Sequence, residues 1–129
     1  MPWDYVIYAD QKLVYSRGWG DVTDADVLDH QRRLAEDPQF RNDFSQLIDF
    51  LGANSLKALT FDGIRKAAQR HVFGPGSRRA IVVSDAASFG LARMFKSYRD
   101  IAGGEEQVNV FRSLKDAWAW LRMSPREGD

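Results

Sequence analysis

Arg79-Ala80-Ile81-Val82-Val83-Ser84 places four apolar residues in a row between an arginine and a serine. Nothing in the run alternates, so a strand here is covered on both faces, as inner strands of a parallel sheet are. Such a sheet needs helices against it, and helical stripes lie on either side. Upstream, Phe61, Ile64, Ala68 and His71 mark a helix that ends near Phe73-Gly74-Pro75-Gly76. Downstream, Leu91, Met94, Phe95, Tyr98 and Ala102 repeat at helical spacing until Gly103-Gly104 stops them.

The same alternation continues outward. Residues 46–51, Gln-Leu-Ile-Asp-Phe-Leu, read as a second buried strand with Asp49 as its one ionisable interruption, and Gly52 to Thr60 has no decisive pattern. Thr23, with Asp24 and Asp26 behind it, opens a helix through Val27, Leu28, Gln31 and Leu34 that closes at Asp37-Pro38. Phe40 and Phe44 tuck the following connector beneath the sheet. Residues 4–9 and 12–19 are β-rich around an Asp10-Gln11 turn, which predicts an opening antiparallel hairpin. Val108-Asn109-Val110-Phe111 is a last strand, and Ser113 caps a helix with Leu114, Ala117, Trp118 and Leu121 inward and Trp120 outward. The predicted order is ββα-βα-βα-βα. This is an α/β fold with a mixed, mainly parallel sheet of 4–5 strands flanked by about four helices. One domain is expected over 1–129, with a core over about 4–122 and a polar tail at 123–129.

Composition narrows the function. The 129 residues include no cysteine, which excludes disulfides, thiolate catalysis, cysteine-ligated zinc and iron–sulfur clusters. No apolar run approaches the roughly 20 residues of a membrane span. The first residues lack the basic flank and apolar block of a signal peptide, so a cytoplasmic placement is expected. Lys plus Arg and Asp plus Glu are both 18, and nucleic acid is not an expected partner, because phosphate binding needs a concentrated positive field. The balance is uneven along the chain: residues 1–62 hold 6 basic and 11 acidic side chains, residues 63–129 hold 12 and 7. Once folded, that is a surface dipole, open to head-to-tail self-association or a charged partner.

Catalytic constellations are not found. His30 is expected on an exposed acidic face and His71 on an apolar stripe, with no metal-ligand spacing between them. There is no Gly-x-Ser-x-Gly elbow, phosphate loop or dinucleotide fingerprint. Gly74-Pro75-Gly76-Ser77-Arg78-Arg79 precedes a strand and so reads as a turn, not an anion cradle. A response-regulator receiver is excluded because Asp10 stands alone where a magnesium-binding acid pair is required. Asp49 has two readings. It is a structural carboxylate held by a neighbouring backbone or an arginine such as Arg79, or a ligand contact near the C-terminal strand ends.

The hairpin Tyr5–Trp19, Gly20-Asp21-Val22-Thr23-Asp24, Leu47-Ile48-Asp49, Arg79-Ala80-Ile81-Val82-Val83, Gly90-Leu91-Ala92-Arg93-Met94-Phe95 and the ending Val110 to Leu121 together resemble a known family. They are similar to the SpoIIAA-like proteins of the STAS superfamily over roughly residues 4–122. The resemblance implies a mixed sheet flanked by helices, a fold related to that of CRAL-TRIO lipid carriers. In the anti-sigma antagonists of the superfamily, a serine in an Asp-Ser-Ser-Gly-type loop opening the second helix is phosphorylated, and the added charge dissolves the partner complex. Here that helix opens with Thr60-Phe61-Asp62-Gly63, so Asp62 stands where the serine would be and no phosphoswitch serine remains. Helix capping accounts for Thr60 and Asp62 equally well.

Two functions follow as expectations. The first is a non-catalytic interaction or regulatory module that docks an unidentified protein through Thr60, Asp62, Gly63, Arg65, Lys66 and Arg70. The alternative is a carrier of a lipid or other small apolar molecule, suggested by the related fold and by the supply of aromatics such as Trp3, Tyr5, Phe73 and Phe95. No cofactor or metal is expected. A homodimer is expected through the edge of the opening hairpin and an outward Trp120.

Overall fold

Strand β1 (Trp3–Tyr8) passes through a 3-10 turn at Ala9–Gln11 into β2 (Leu13–Gly20). Then follow α1 (Asp24–Glu36), β3 (Ser45–Ala53), α2 (Phe61–Ala68), β4 (Arg78–Val82), α3 (Ala86–Ile101), β5 (Gln107–Phe111) and α4 (Leu114–Leu121). The computed structural model describes residues 3–54 and 56–125. The end of the expected polar tail, residues 126–129, lies outside them, while Met123 packs against the core. The fold is α/β in the predicted order.

Each α-helix starts on a side chain that accepts from an amide three residues on. Thr23 accepts from Asp26 N, Thr60 from Gly63 N, Asp85 from Ser88 N and Ser113 from Asp116 N. These bonds satisfy amides that a helix cannot pair internally. At Thr23, Asp26 returns the bond to the Thr23 N–H, completing a capping box.

The sheet runs β1-β2-β3-β4-β5 in space, antiparallel between β1 and β2 and parallel thereafter. Strands added in sequence order by crossovers of one hand place all the connecting helices on one face. Accordingly α1, α2 and α3 share a face. There Trp3, Ile48, Phe50, Ile81 and Val110 meet Ala92 of α3. After β5 no strand remains to join, and α4 covers the other face, seating Ala117, Trp118 and Leu121 on Leu13, Tyr15, Leu47, Ala80 and Val82. The unalternated run at 80–83 is thus shared between two cores, Ala80 and Val82 facing α4, Ile81 and Val83 facing the other layer. Phe44 joins Val14, Leu34 and Phe73 below the sheet, with Phe40 edge-on to Phe73 at 5.1 Å.

Several sequence expectations shift. The undecided segment resolves into the end of β3, which runs to Ala53, and a turn before Thr60. Helix α2 stops at Ala68, short of His71, because Arg99 of α3 donates to the carbonyls of Ala68 at 2.8 Å and Arg70 at 3.2 Å. A buried guanidinium thereby takes the carbonyls left open at the helix end. His71 is exposed beyond that end, and Phe61, expected inward, is 66% exposed. The inward face of α3 centres on Ser88, Ala92 and Arg99, leaving Met94 and Tyr98 at its margin. Trp120 does not project away: the Arg78 guanidinium covers its ring at 4.3 Å, and Phe111 packs beside it at 5.7 Å.

Candidate functional site

A cavity of about 70 Å³ lies between the sheet and helices α1 to α3. Its floor is Ile48, Phe50 and Ile81, and Gly63, Ala67 and Ala92 leave room where larger side chains would close it. Gly63 leaves the space that the Asp24 side chain occupies. A Cβ there would overlap the Asp24 carboxylate, which accepts from Thr60 N at 2.9 Å and Thr60 Oγ1 at 2.5 Å. The two helix starts are therefore tied together, and that joint forms one wall.

The lining is apolar apart from a few groups, and these are unusual. Among the described residues, four buried side-chain polar atoms find no hydrogen-bond partner: Trp3 Nε1, His30 Nε2, Gln31 Oε1 and Ser77 Oγ. The first three belong to residues lining the cavity. Native structures leave few such atoms, because each costs about 1–3 kcal/mol. The His30 ring stacks on the Trp3 indole at 4.0 Å and meets the Tyr5 ring edge-on at 5.3 Å. Burial, with the charges of Arg33 and Arg79 adding to it, pushes its pKa down to about 3, so the imidazole is neutral at pH 7. Gln31 donates its amide nitrogen to Ala67 O at 3.0 Å. A carbonyl can only accept, and this fixes the amide orientation with Oε1 left over.

In the cavity wall, Arg79 lies between the Phe73 and Phe95 rings, 4.4 and 5.3 Å from their centroids. Its Nε donates to Gln46 Oε1 at 3.0 Å and its Nη1 to Glu106 at 2.8 Å. Arg99 grips the same carboxylate at 2.9 and 2.6 Å. Burial works against the Glu106 carboxylate, but the bonds and charges of Arg99 and Arg79 outweigh it and hold its pKa below the ordinary value. This triad ties α3 to β4 and to the end of α2.

The residues singled out in the sequence divide into four sets. Thr60 and Gly63 face the joint with Asp24. Asp62 projects outward and is bound by its own helix, to Arg65 at 2.5 Å and Lys66 at 3.2 Å, bonds that lower its pKa. Arg70 lies beyond α2, with Nη1 3.4 Å from Leu28 O. Asp49 is buried on the α4 side of the sheet, away from the cavity. It accepts from Tyr15 OH at 2.9 Å and Leu51 N at 2.9 Å, and Arg17 Nε lies 3.7 Å away. The anticipated backbone bond is present, but the arginine is Arg17 and not Arg79, which leaves β4 on the opposite face. Burial, then the Asp49 carboxylate against the pull of Arg17, pushes the Tyr15 pKa up to about 12.

His30 is a correction: it is 2% exposed, not on a solvated face. Its burial follows from a strand that starts at Trp3, so that Trp3 and Tyr5 both point at α1. Gln31 carried a readable signal, a glutamine in a leucine stripe. Trp3 and His30 carried none beyond their aromatic character.

Among the described residues, no group of three or more His, Cys, Asp or Glu is placed to hold a metal, and no helix is long and apolar enough to cross a membrane. No model of a known protein family matches the chain, and neither does any curated protein.

Proposed function

We propose that the chain binds a small, mainly apolar molecule in the cavity between the sheet and α1–α3. One observation carries this reading: an apolar cavity is lined by Trp3, His30 and Gln31, each of which holds a buried polar atom without a partner. Binding sites share that make-up, apolar walls with a few convergent polar groups. Volume limits the occupant. At about 70 Å³ the cavity is smaller than the ~150 Å³ apolar cavity that takes up benzene, so a long acyl chain enters only if the helices part. Native mass spectrometry of the purified chain tests the reading. An adduct that is lost on denaturation, and absent from an Ala67→Leu variant that fills the cavity, supports it. An adduct equally present in the variant places the molecule elsewhere and rejects it.

A second reading keeps the STAS-like interaction module inferred from the sequence. The observation favouring it is Phe61, 66% exposed in the first turn of α2 beside Asp62, Arg65 and Lys66. An exposed aromatic ringed by charges suits a protein partner with an apolar recess. Against it, Asp62 spends its charge on its own helix. A partner that co-purifies with the wild type and is lost from Phe61→Ser is the expected result, and retention rejects this surface. The membership in the STAS superfamily that we infer rests on the sequence pattern and is supported by the strand and helix order. Self-association through the β1 edge remains part of this second proposal, with Trp120 now removed from it.

A further inference from the structure

A second hollow opens on the surface, outside the apolar cavity. It is a cleft of about 550 Å³ between the C-terminal half of α1, the connection before β3 and the segment after α2. That volume falls within the roughly 300–1,000 Å³ of small-molecule sites. Ala35, Phe40 and Val72 give it an apolar wall, and Asn42, Arg70 and His71 supply polar groups. Gly74 N donates to Asn42 O at 2.8 Å, which pins the two loops together.

The polar groups are mainly donors. His71 Nδ1 lies 3.2 Å from Arg99 Nη1, and a guanidinium only donates, so Nδ1 accepts and the ring proton sits on Nε2. Nδ1 is thus turned towards a buried residue, which turns the Nε2–H of the exposed His71 outwards. The exposed Arg70 side chain meets only Leu28 O, at 3.4 Å, and pairs with no carboxylate among the described residues. Glu36 is the one carboxylate in the lining, and Arg32 already holds it at 3.2 Å. Behind His71, Arg99 and Arg79 share the single carboxylate of Glu106, so that buried cluster keeps one positive charge in excess. An ammonium brought here meets donors and positive charge. A lone inorganic anion leaves the apolar wall bare. An oxyanion on an apolar body uses both, and its charge-assisted bonds are roughly twice as strong as those of a neutral hydroxyl.

We propose that this cleft binds a small organic oxyanion, a carboxylate or a phosphate monoester, through Arg70, His71 and Asn42, with its apolar body against Ala35, Phe40 and Val72. The site is separate from the buried cavity and stands whether or not that cavity takes a ligand.

The test is an ¹⁵N–¹H titration of the backbone amides with benzoate, phenyl phosphate, benzyl alcohol, benzylammonium and inorganic phosphate. The expected result is that benzoate or phenyl phosphate shifts the Asn42, Arg70 and His71 amides to saturation, and the tighter of the two names the head group. Benzyl alcohol and inorganic phosphate bind about tenfold more weakly or less, and benzylammonium leaves these amides in place. Arg70→Gln weakens the organic anion about tenfold, the ratio for one charge-assisted hydrogen bond, whereas Lys66→Gln on exposed α2 leaves it unchanged. The Arg70 carbonyl, which serves Arg99, is kept in the variant. No loss in Arg70→Gln, or an equal loss in Lys66→Gln, overturns the site in favour of diffuse surface charge. Inorganic phosphate binding as tightly as phenyl phosphate means an adventitious ion only and overturns it too. So does benzyl alcohol or benzylammonium binding as tightly as the anions. If neither organic anion shifts these amides the proposal fails, while the cavity reading, tested by its own adduct and Ala67→Leu, is untouched. The wild-type comparison decides the matter even if a variant does not fold.

Discussion

His30 shows how one side chain can set the pH response of the molecule. In the unfolded chain it titrates near 6.5, and in the folded chain burial, Arg33 and Arg79 hold it near 3 against the opposing pull of Asp4 and Asp29. Its folded pKa is depressed, so its share of stability is whole above pH 6.5 and is lost as the pH falls towards 3. Between pH 7 and 5 the loss reaches about 2 kcal/mol. Urea unfolding at both pH values should show wild type losing that much more than His30→Phe, and parallel losses would remove His30 as the cause. Glu106 acts through partners rather than pH near neutrality. Glu106→Gln leaves the Arg79 and Arg99 guanidinium groups buried without their shared anion, and unfolding should come about 3–5 kcal/mol earlier. Asp62→Asn, on an exposed pair, should leave the unfolding midpoint where it is.

At the scale of elements, the joint between α1 and α2 makes a sharper prediction. Asp24→Ala removes the acceptor for Thr60 N and Oγ1 and should cost about 1–2 kcal/mol. Gly63→Ala alone should also destabilise, because its methyl displaces the Asp24 carboxylate. In the Asp24→Ala background the obstacle is gone and alanine is the better helix former, so Gly63→Ala should then stabilise. Unfolding of the four chains shows the change of sign or its absence. Helix starts were legible in the sequence because capping is local: Thr23 and Ser113 announce themselves within three residues. The end of α2 was not, since it depends on Arg99, far along the chain. The phase of α2 was misread for a related reason. Phe61 outweighs Gly63 and Ala67 in hydrophobicity, yet close packing against α1 and α3 selects the small residues and leaves the phenylalanine outside.

For the whole molecule, the order of elements followed from periodicity. The strand order is seen only in the structure, and with it connections of one hand put α1 to α3 on one face. The cavity did not follow from periodicity either, because it is what remains when three helices are laid on one face of a five-stranded sheet. Its polar set unites Trp3 of β1 with His30 and Gln31 of α1, a pairing that exists only once the register of β1 on β2 is fixed. Asp49 illustrates the same limit. Its backbone bond is two residues away and was foreseeable, whereas Arg17 in place of Arg79 depends on which face each strand presents. The opposite face, with α4 alone, leaves Val6, Trp19 and Leu51 exposed, so an apolar probe has a competing place to bind. Locating the bound molecule therefore discriminates best. Intermolecular nuclear Overhauser effects should run from the protons of dissolved ethane, an apolar probe small enough for the cavity, to the side-chain methyls of Ile48, Ile64 and Ala92. Effects confined to Val6, Leu51 and Ile101 at the surface would mean that the cavity is packing, not a site.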